Sequence, residues 1–419
     1  MASSMIAVVE MGTSRMLGAT GEYLQDGSVR LISLVSQPSS GLRGGVIIDR
    51  DNAVKSVQEL LNKLQAKTKE ALNSKVDIAT VSLLCTCGEI SCDTSTKSMP
   101  IAAADHYVTE EDCELLVKQL NEVPVPPERQ MIAKVRTNWF VDSVRCDKPA
   151  NLKGSELMLQ GLIVHTLSSR LNLFLDVLEE ANVETDYERI YVPAMTAAQV
   201  GLDREQQRIG TLLLDLGGDT TSWCVFHNGG IISVGSIPIG GDHVTNDLMA
   251  GFCTGSTLSA ENLKRLHGSA VLDGIDSTAR VKIPTELGGE ARTASLRSIA
   301  MVVNARMEET LSIVRELVGQ QVLDSLGGGI VLSGNGSLLN GTTKLVEHVF
   351  GKPCSLIELK TGFAEIDRNP TDTAAIWGAL VQTARYELHS EVQRRERGLF
   401  KRLYSWMTDF FFEQGGNEK

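Results

Sequence analysis

Two stretches of this chain share one hydrophobic-to-polar pattern. Ile6-Ala7-Val8-Val9 runs apolar into Glu10, Met11, Gly12, Thr13 and Ser14. Leu212-Leu213-Leu214 runs into Asp215, Leu216, Gly217, Gly218, Asp219, Thr220, Thr221 and Ser222. Apolar runs this short, stopped by glycine, predict buried strands that enter a tight turn. The first continues into Arg15 to Thr20, a second strand, so the unit is a hairpin. Gly327 to Ser337 predicts a third strand-to-glycine turn, followed by a helix through Phe350.

Elsewhere the period is helical. Val54, Val57, Leu60, Leu61 and Leu64 form one apolar face of a helix that Asp51 can cap. Further helices are expected over residues 169–181, 263–266 and 299–318, with strands over 76–84 and 189–192. From about 85 to 160 the pattern changes to short strands (131–135, 139–144, 157–164) around one helix. Thr109 caps that helix, which presents Cys113, Leu116, Val117 and Leu120, and a proline-rich run at 123–127 stops it. The expected fold class is α/β, with duplicated sheet units and a small α+β insert in the first half. The boundaries fall at 5–84 and 163–204 for the first unit, 85–162 for the insert and 205–388 for the second unit. The second unit contains a helical subdomain at about 242–325. Residues 389–397 read as a polar linker and 398–413 as an amphipathic helix.

The turns carry the chemistry. Glycine lets backbone N–H groups approach a phosphate, and Thr or Ser adds hydroxyl donors. A carboxylate at a strand end, here Glu10 or Asp215, can hold a divalent cation through water. The duplication points to two half-domains clamping a nucleotide's phosphates from opposite sides. A strand ending in glycines at a helix start suits a nucleotide too, through the helix dipole and free N–H groups. Any one such turn could equally be a plain tight connection.

Composition narrows the class. The 419-residue chain is 42% hydrophobic and 22% charged, ordinary for a globular protein with room for several units. A net charge of -12 argues against nucleic acid as a partner, because phosphate backbones would be repelled. Eight cysteines without a secretory leader fit a reducing cytoplasm. Cys85, Cys87 and Cys92 cluster, but their spacing favours buried thiols over a zinc site.

The chain's end is a separate signal. Leu399, Phe400, Leu403, Trp406, Met407, Phe410 and Phe411 fall on one helical face, with Lys401, Arg402 and nearby arginines at its start. Such a helix fits lying in the interface of an anionic membrane surface. The alternatives are packing on the chain's own core, or docking on a partner.

In their order, the three turns resemble the two phosphate motifs and the adenosine motif of the actin-like ATPase superfamily. Within it, the chain resembles the FtsA family of bacterial cell-division proteins. Supporting runs are Gly41 to Ile47, Ile237 to Asp247, Ala260 to Lys264 and Asp372 to Leu380. The resemblance covers nearly the whole chain and implies an actin-like two-lobed fold with the family's own insert. It implies ATP and magnesium (Mg2+) as cofactors. Gly12, Thr13 and Ser14 would face the phosphates from one side, and Gly217, Gly218, Thr220 and Thr221 from the other. Gly240 would lie near them. Glu261 and Lys264 would contact ribose and adenine, Gly334, Asn335, Gly336 and Ser337 would line the adenosine site, and Glu10 and Asp215 would act through the metal. The implied partners are the C-terminal peptide of FtsZ, further copies in a filament, the inner membrane at the division site, and later division proteins through the insert.

Three positions depart from the family pattern. Asp219 stands where a third glycine is usual, Ser222 where Asp is common, and Asn335 where glycine is usual. Asp219 would repel a triphosphate unless its side chain turns away or joins a metal. Asn335 would take up a left-handed backbone. No residue stands out as a base for an attacking water, so the expectation is a nucleotide-dependent scaffold with at most weak ATPase activity. A soluble kinase of the same superfamily and a pilus-assembly actin homologue are the competing readings.

Overall fold

A computed structural model describes residues 5–24, 28–103, 105–283, 292–359 and 370–396. The first lobe opens with strands β1 (Met5–Met11), β2 (Arg15–Tyr23) and β3 (Val29–Pro38). A two-residue pair follows, β4 (Leu42–Arg43) and β5 (Val46–Ile47), then helix α1 (Arg50–Leu72) and β6 (Ser82–Leu84). The insert comprises β7 (Ser91–Pro100), α2 (Glu110–Asn121), β8 (Arg129–Val141), β9 (Val144–Cys146) and β10 (Glu156–Leu167). Helix α3 (Ser168–Glu180), β11 (Ile190–Tyr191) and α4 (Pro193–Gly201) return to the first lobe.

The second lobe begins with α5 (Arg204–Ile209), β12 (Thr211–Leu216), β13 (Thr221–His227) and β14 (Gly230–Ile237). Helices α6 (Gly241–Phe252) and α7 (Thr257–His267), the pair β15 (Arg280–Ile283) and β16 (Arg292–Ser295), and helix α8 (Leu296–Val318) follow. Then come α9 (Gln320–Asp324), β17 (Ile330–Ser333), α10 (Thr342–Phe350) and β18 (Cys354–Leu356), with α11 (Pro370–Glu396) last among the described residues.

The two main sheets repeat one plan. The first has the order β11-β6-β1-β2-β3 and the second β14-β13-β12-β17-β18. In each, a three-stranded antiparallel meander joins two parallel strands at its leading strand. The leading strand is apolar on both sides because both faces are covered. Leu212, Leu214 and Leu216 enter the core beneath α6 to α10, while Leu213 enters the core shared with the first lobe. The insert has its own small core, where Cys113, Leu116 and Leu120 of α2 meet Trp139, Leu157 and Leu159.

Several expectations shift. Asp49, not Asp51, caps α1, its carboxylate accepting the Asn52 N–H at 3.1 Å. The run 76–84 is strand only at Ser82–Leu84, and the strands expected at 131–135 and 139–144 are one long β8, continued through polar residues because β10 pairs with it on both sides of bulges at Ile132 and Thr137. Thr109 caps α2 with a reciprocal Asp112 bond, as expected.

The largest difference concerns α11. It follows the second lobe in sequence but packs on the first: Ala374, Ile376, Trp377, Ala379, Leu380 and Ala384 join the first core. Thr383 Oγ1 bonds Ser82 Oγ at 2.8 Å, and Arg189 pairs with Glu387 at 2.5 Å. The stretch expected as a linker from 389 is helix through Glu396. All seven apolar tail residues from Leu399 to Phe411, with Lys401 and Arg402, lie outside the described residues.

Candidate functional site

The twin glycine turns meet between the lobes. Gly12 follows β1, where a Cβ would stand 2.5 Å from the Arg15 carbonyl oxygen, so only glycine closes this hairpin without displacement. In the second turn, the Gly217 N–H donates to the Thr220 carbonyl at 2.9 Å, and a Cβ on Gly217 would sit at that same distance from it. A Cβ on Gly218 would collide with Ser14 Oγ of the opposite turn. The structure therefore places Ser14 and Gly218 face to face, while the Thr220 methyl group faces Gly45 and Gly88 of the first lobe.

The strand-end carboxylates sit behind the turns. Burial pushes the Glu10 carboxyl from 4.5 up to about 7; Arg15 pulls against this, and Asp215 and Asp372 add to it. Burial also raises Asp215, whose Oδ1 accepts a bond from Ser333 Oγ at 2.7 Å. Arg15, just after the first turn, pairs with Asp372 at the start of α11 and donates to its carbonyl at 3.2 Å. Two desolvated carboxylates with one partly shared guanidinium form a donor set that suits a hard divalent cation contacted mainly through water. Among the described residues no three acidic, His or Cys groups gather into a cage that would hold a metal directly.

Helix α6 begins against the second turn. The Gly241 N–H donates to the Gly217 carbonyl at 3.0 Å and the Asp242 N–H to the Gly218 carbonyl at 2.7 Å. A Cβ on Gly240 would overlap the Gly218 carbonyl, so the approach needs glycine there. Thr221 Oγ1 bonds the Ile239 carbonyl at 2.8 Å. Lys264 Nζ reaches the Gly241 carbonyl at 2.9 Å, Thr245 Oγ1 at 2.8 Å and Glu261 Oε2 at 2.6 Å. Glu261 and Lys264 are thus brought to the mouth of the cleft as an ion pair with each other.

The third turn closes the site from behind. Gly334 takes φ +79°, donates its N–H to the Thr371 carbonyl at 2.8 Å, and leaves no room for a Cβ against Leu216. Ser337 Oγ returns to the Gly334 carbonyl at 2.6 Å. The left-handed position expected at Asn335 therefore falls one residue earlier, on a glycine, and Asn335 opens a short 3-10 turn. Asp219 is buried and turns towards the first lobe, where its Oδ2 accepts the Gly44 N–H at 2.6 Å. Ser222 pairs with Asp215 across the ladder; its Oγ is buried without a hydrogen bond among the described residues.

Sequence reasoning missed Arg15, Asp372, Asp242 and Gly44. Arg15 could have been found as a cation directly after a phosphate-type turn. Asp242 lies in the run Ile237 to Asp247 without a periodic signal of its own. Asp372 and Gly44 reach the site only through tertiary placement.

The family profile described as "Cell division protein FtsA" matches residues 212–376, and the "SHS2 domain inserted in FTSA" matches residues 87–165. The chain belongs to the FtsA family. It is 25% identical over 419 residues to the cell division protein FtsA of Neisseria meningitidis serogroup B, covering 97% of this chain and 98% of that one. The FtsA of Bacillus subtilis (strain 168) is 26% identical over 346 residues, 81% of this chain and 76% of that one. Among solved structures, the PilM-PilN type IV pilus biogenesis complex aligns with TM-score 0.58 at 14% identity, over 91% of this chain and 98% of that one. MreB5 of Spiroplasma citri bound to ADP aligns with TM-score 0.50 at 16% identity, over 94% and 99%. These structures establish the actin-like fold of this FtsA-family chain, and the second profile establishes the SHS2 character of its insert. No described helix is long and apolar enough to cross a membrane.

Proposed function

We propose that this FtsA-family chain binds ATP between its lobes and works as a nucleotide-dependent scaffold of the division site. The carrying observation is the opposition of the two glycine turns, Ser14 against Gly218, with the third turn packed on Leu216 behind them. Gly12, Thr13 and Ser14 would hold the phosphates from the first lobe, and Gly217, Gly218, Thr220 and Thr221 from the second. Gly334, Asn335, Gly336 and Ser337 would line the adenosine side, with Gly240, Glu261 and Lys264 at the mouth. Glu10 and Asp215 would hold magnesium through water, and the bound ion would offset phosphate charge. That MreB5 of Spiroplasma citri, which shares this fold, is bound to ADP in its solved structure supports a nucleotide here.

A ligand touching both lobes biases their closure by its differential affinity for closed and open forms. In this reading closure governs self-association into filaments, and the filament tethers the FtsZ C-terminal peptide through the second lobe. The insert recruits later division proteins, and the amphipathic segment from Leu399 to Phe411 attaches the chain to the cytoplasmic face of the inner membrane. Many weak anchors in one filament would bind far better than one.

The test is nucleotide-dependent thermal unfolding of the full chain. ATP with magnesium should raise the melting temperature, and Gly217→Asp should remove the rise, since any side chain there crowds the Thr220 carbonyl and Asp adds like charge. An equal rise in the variant would refute the phosphate role of the second turn.

A further inference from the structure

Two hydrogen bonds cross from one lobe to the other at the glycine turns, and both acceptors are carboxylates. Gly44 lies in the first lobe between β4 and β5, and with Gly45 it takes positive φ values of +60° and +66°. A Cβ on Gly45 would stand 2.6 Å from the Thr86 carbonyl and 3.0 Å from Thr220 Cγ2, so this loop is wedged between the lobes. The Gly44 amide points across the gap to Asp219 Oδ2 at 2.6 Å. The second crossing is Ser14 Oγ, which donates to Asp242 Oδ2 at 2.5 Å. Asp242 is fixed in turn by its own N–H on the Gly218 carbonyl.

Hydrogen bonds to an ionised acceptor are about twice as strong as neutral ones. A buried carboxylate such as Asp219 is costly unless it is held by donors. The Ser14 hydroxyl and the Gly44 amide are also the kind of donor an anion seated between the turns would recruit. Here the chain's own carboxylates already hold them.

We infer that Asp219 and Asp242 form an interlobe latch that closes the cleft in the place of a terminal phosphate, so that a nucleoside triphosphate competes with the latch. Closure then precedes the nucleotide, and the triphosphate must displace Asp242 from Ser14 to reach that hydroxyl. The penalty falls hardest on the outermost phosphate, so the latch narrows the preference for ATP over ADP. The ligand half of this inference rests on the nucleotide reading above; the latch itself does not.

The experiment pairs hydrogen exchange on the full chain without nucleotide with calorimetry of ATP and ADP in magnesium. Asp219→Gly removes the acceptor, and Asp219→Asn keeps an acceptor oxygen without the charge. Losing a charge-assisted bond should speed exchange of the peptide holding Gly44 by about tenfold or more in Asp219→Gly, and less in Asp219→Asn. Removing the charge should tighten ATP at least about fivefold, and by more than ADP, in both variants. Unchanged exchange at Gly44 in Asp219→Gly, or weaker ATP binding in Asp219→Asn, would overturn the latch. Faster exchange in a chain that binds no nucleotide at all would keep the latch and defeat the nucleotide reading instead.

Discussion

Glu10→Gln isolates the electrostatics of the strand end. The folded chain holds the Glu10 carboxyl near 7 instead of 4.5, mainly because burial disfavours its charge. At about 1.4 kcal/mol per pH unit, that difference amounts to about 3 kcal/mol against the folded state once both forms are ionised. The sign follows from linkage: between these values the folded state binds the proton more tightly, so stability falls as pH rises. The loss begins near the unfolded value of 4.5 and is complete just above 7. Gln cannot ionise and has nearly the same shape, so any change in its own hydrogen bonds is independent of pH. Urea unfolding of both proteins, without nucleotide or divalent ions, should show the variant gaining on the wild type by about 2–3 kcal/mol between pH 5 and 8. Asp215 is raised mainly by burial too, and because its charge adds to the rise at Glu10, the difference between the two proteins reports the titration of the pair and not of Glu10 alone. A gap that stays constant across this range would refute the desolvated-carboxylate picture.

Two other perturbations test the placement of α11 and of the tail. Gly378→Ala puts a methyl group against the Thr196 backbone carbonyl, where α11 crosses α4. Ala gains about 1 kcal/mol in helix propensity, but overpacking against backbone costs about 1–3 kcal/mol or more. Denaturant titration should therefore show a net loss of about 1–2 kcal/mol, and a stabilised variant would contradict the crossing. A chain ending at Glu396 keeps the Arg189–Glu387 and Tyr386–Glu188 contacts and removes residues 397–419, which include the amphipathic segment. It should fail to pellet with anionic vesicles that carry down the full chain. Equal pelleting of both would remove the anchor.

Wherever local pattern and tertiary burial agree, the sequence was readable. The twin turns, the Thr109 cap and the α2 face were legible because each depends on residues within one element. The long β8 was not, because Arg136, Thr137 and Asn138 interrupt its apolar pattern while pairing of Arg136 and Asn138 to β10 carries the strand past a bulge at Thr137. The helix beyond residue 388 was hidden in the same way. Glu, Gln and Arg look like a linker on a polarity scale, yet they are good helix formers, and nothing breaks the run before Gly398. The docking of α11 on the first lobe required a long-range rule that neighbouring residues do not carry. At the site, glycines announced the turns through their local conformational demands. Asp219 could be singled out but not oriented, since its partner Gly44 lies 175 residues away in the chain.

In the proposed function the opposed turns grip one nucleotide. Isothermal calorimetry of the purified, folded full chain with ATP and magnesium tests it most directly. Saturable binding at one nucleotide per chain, abolished by Gly217→Asp, is the expected result. Absence of any binding heat at millimolar ATP, in protein that melts cooperatively, would contradict it.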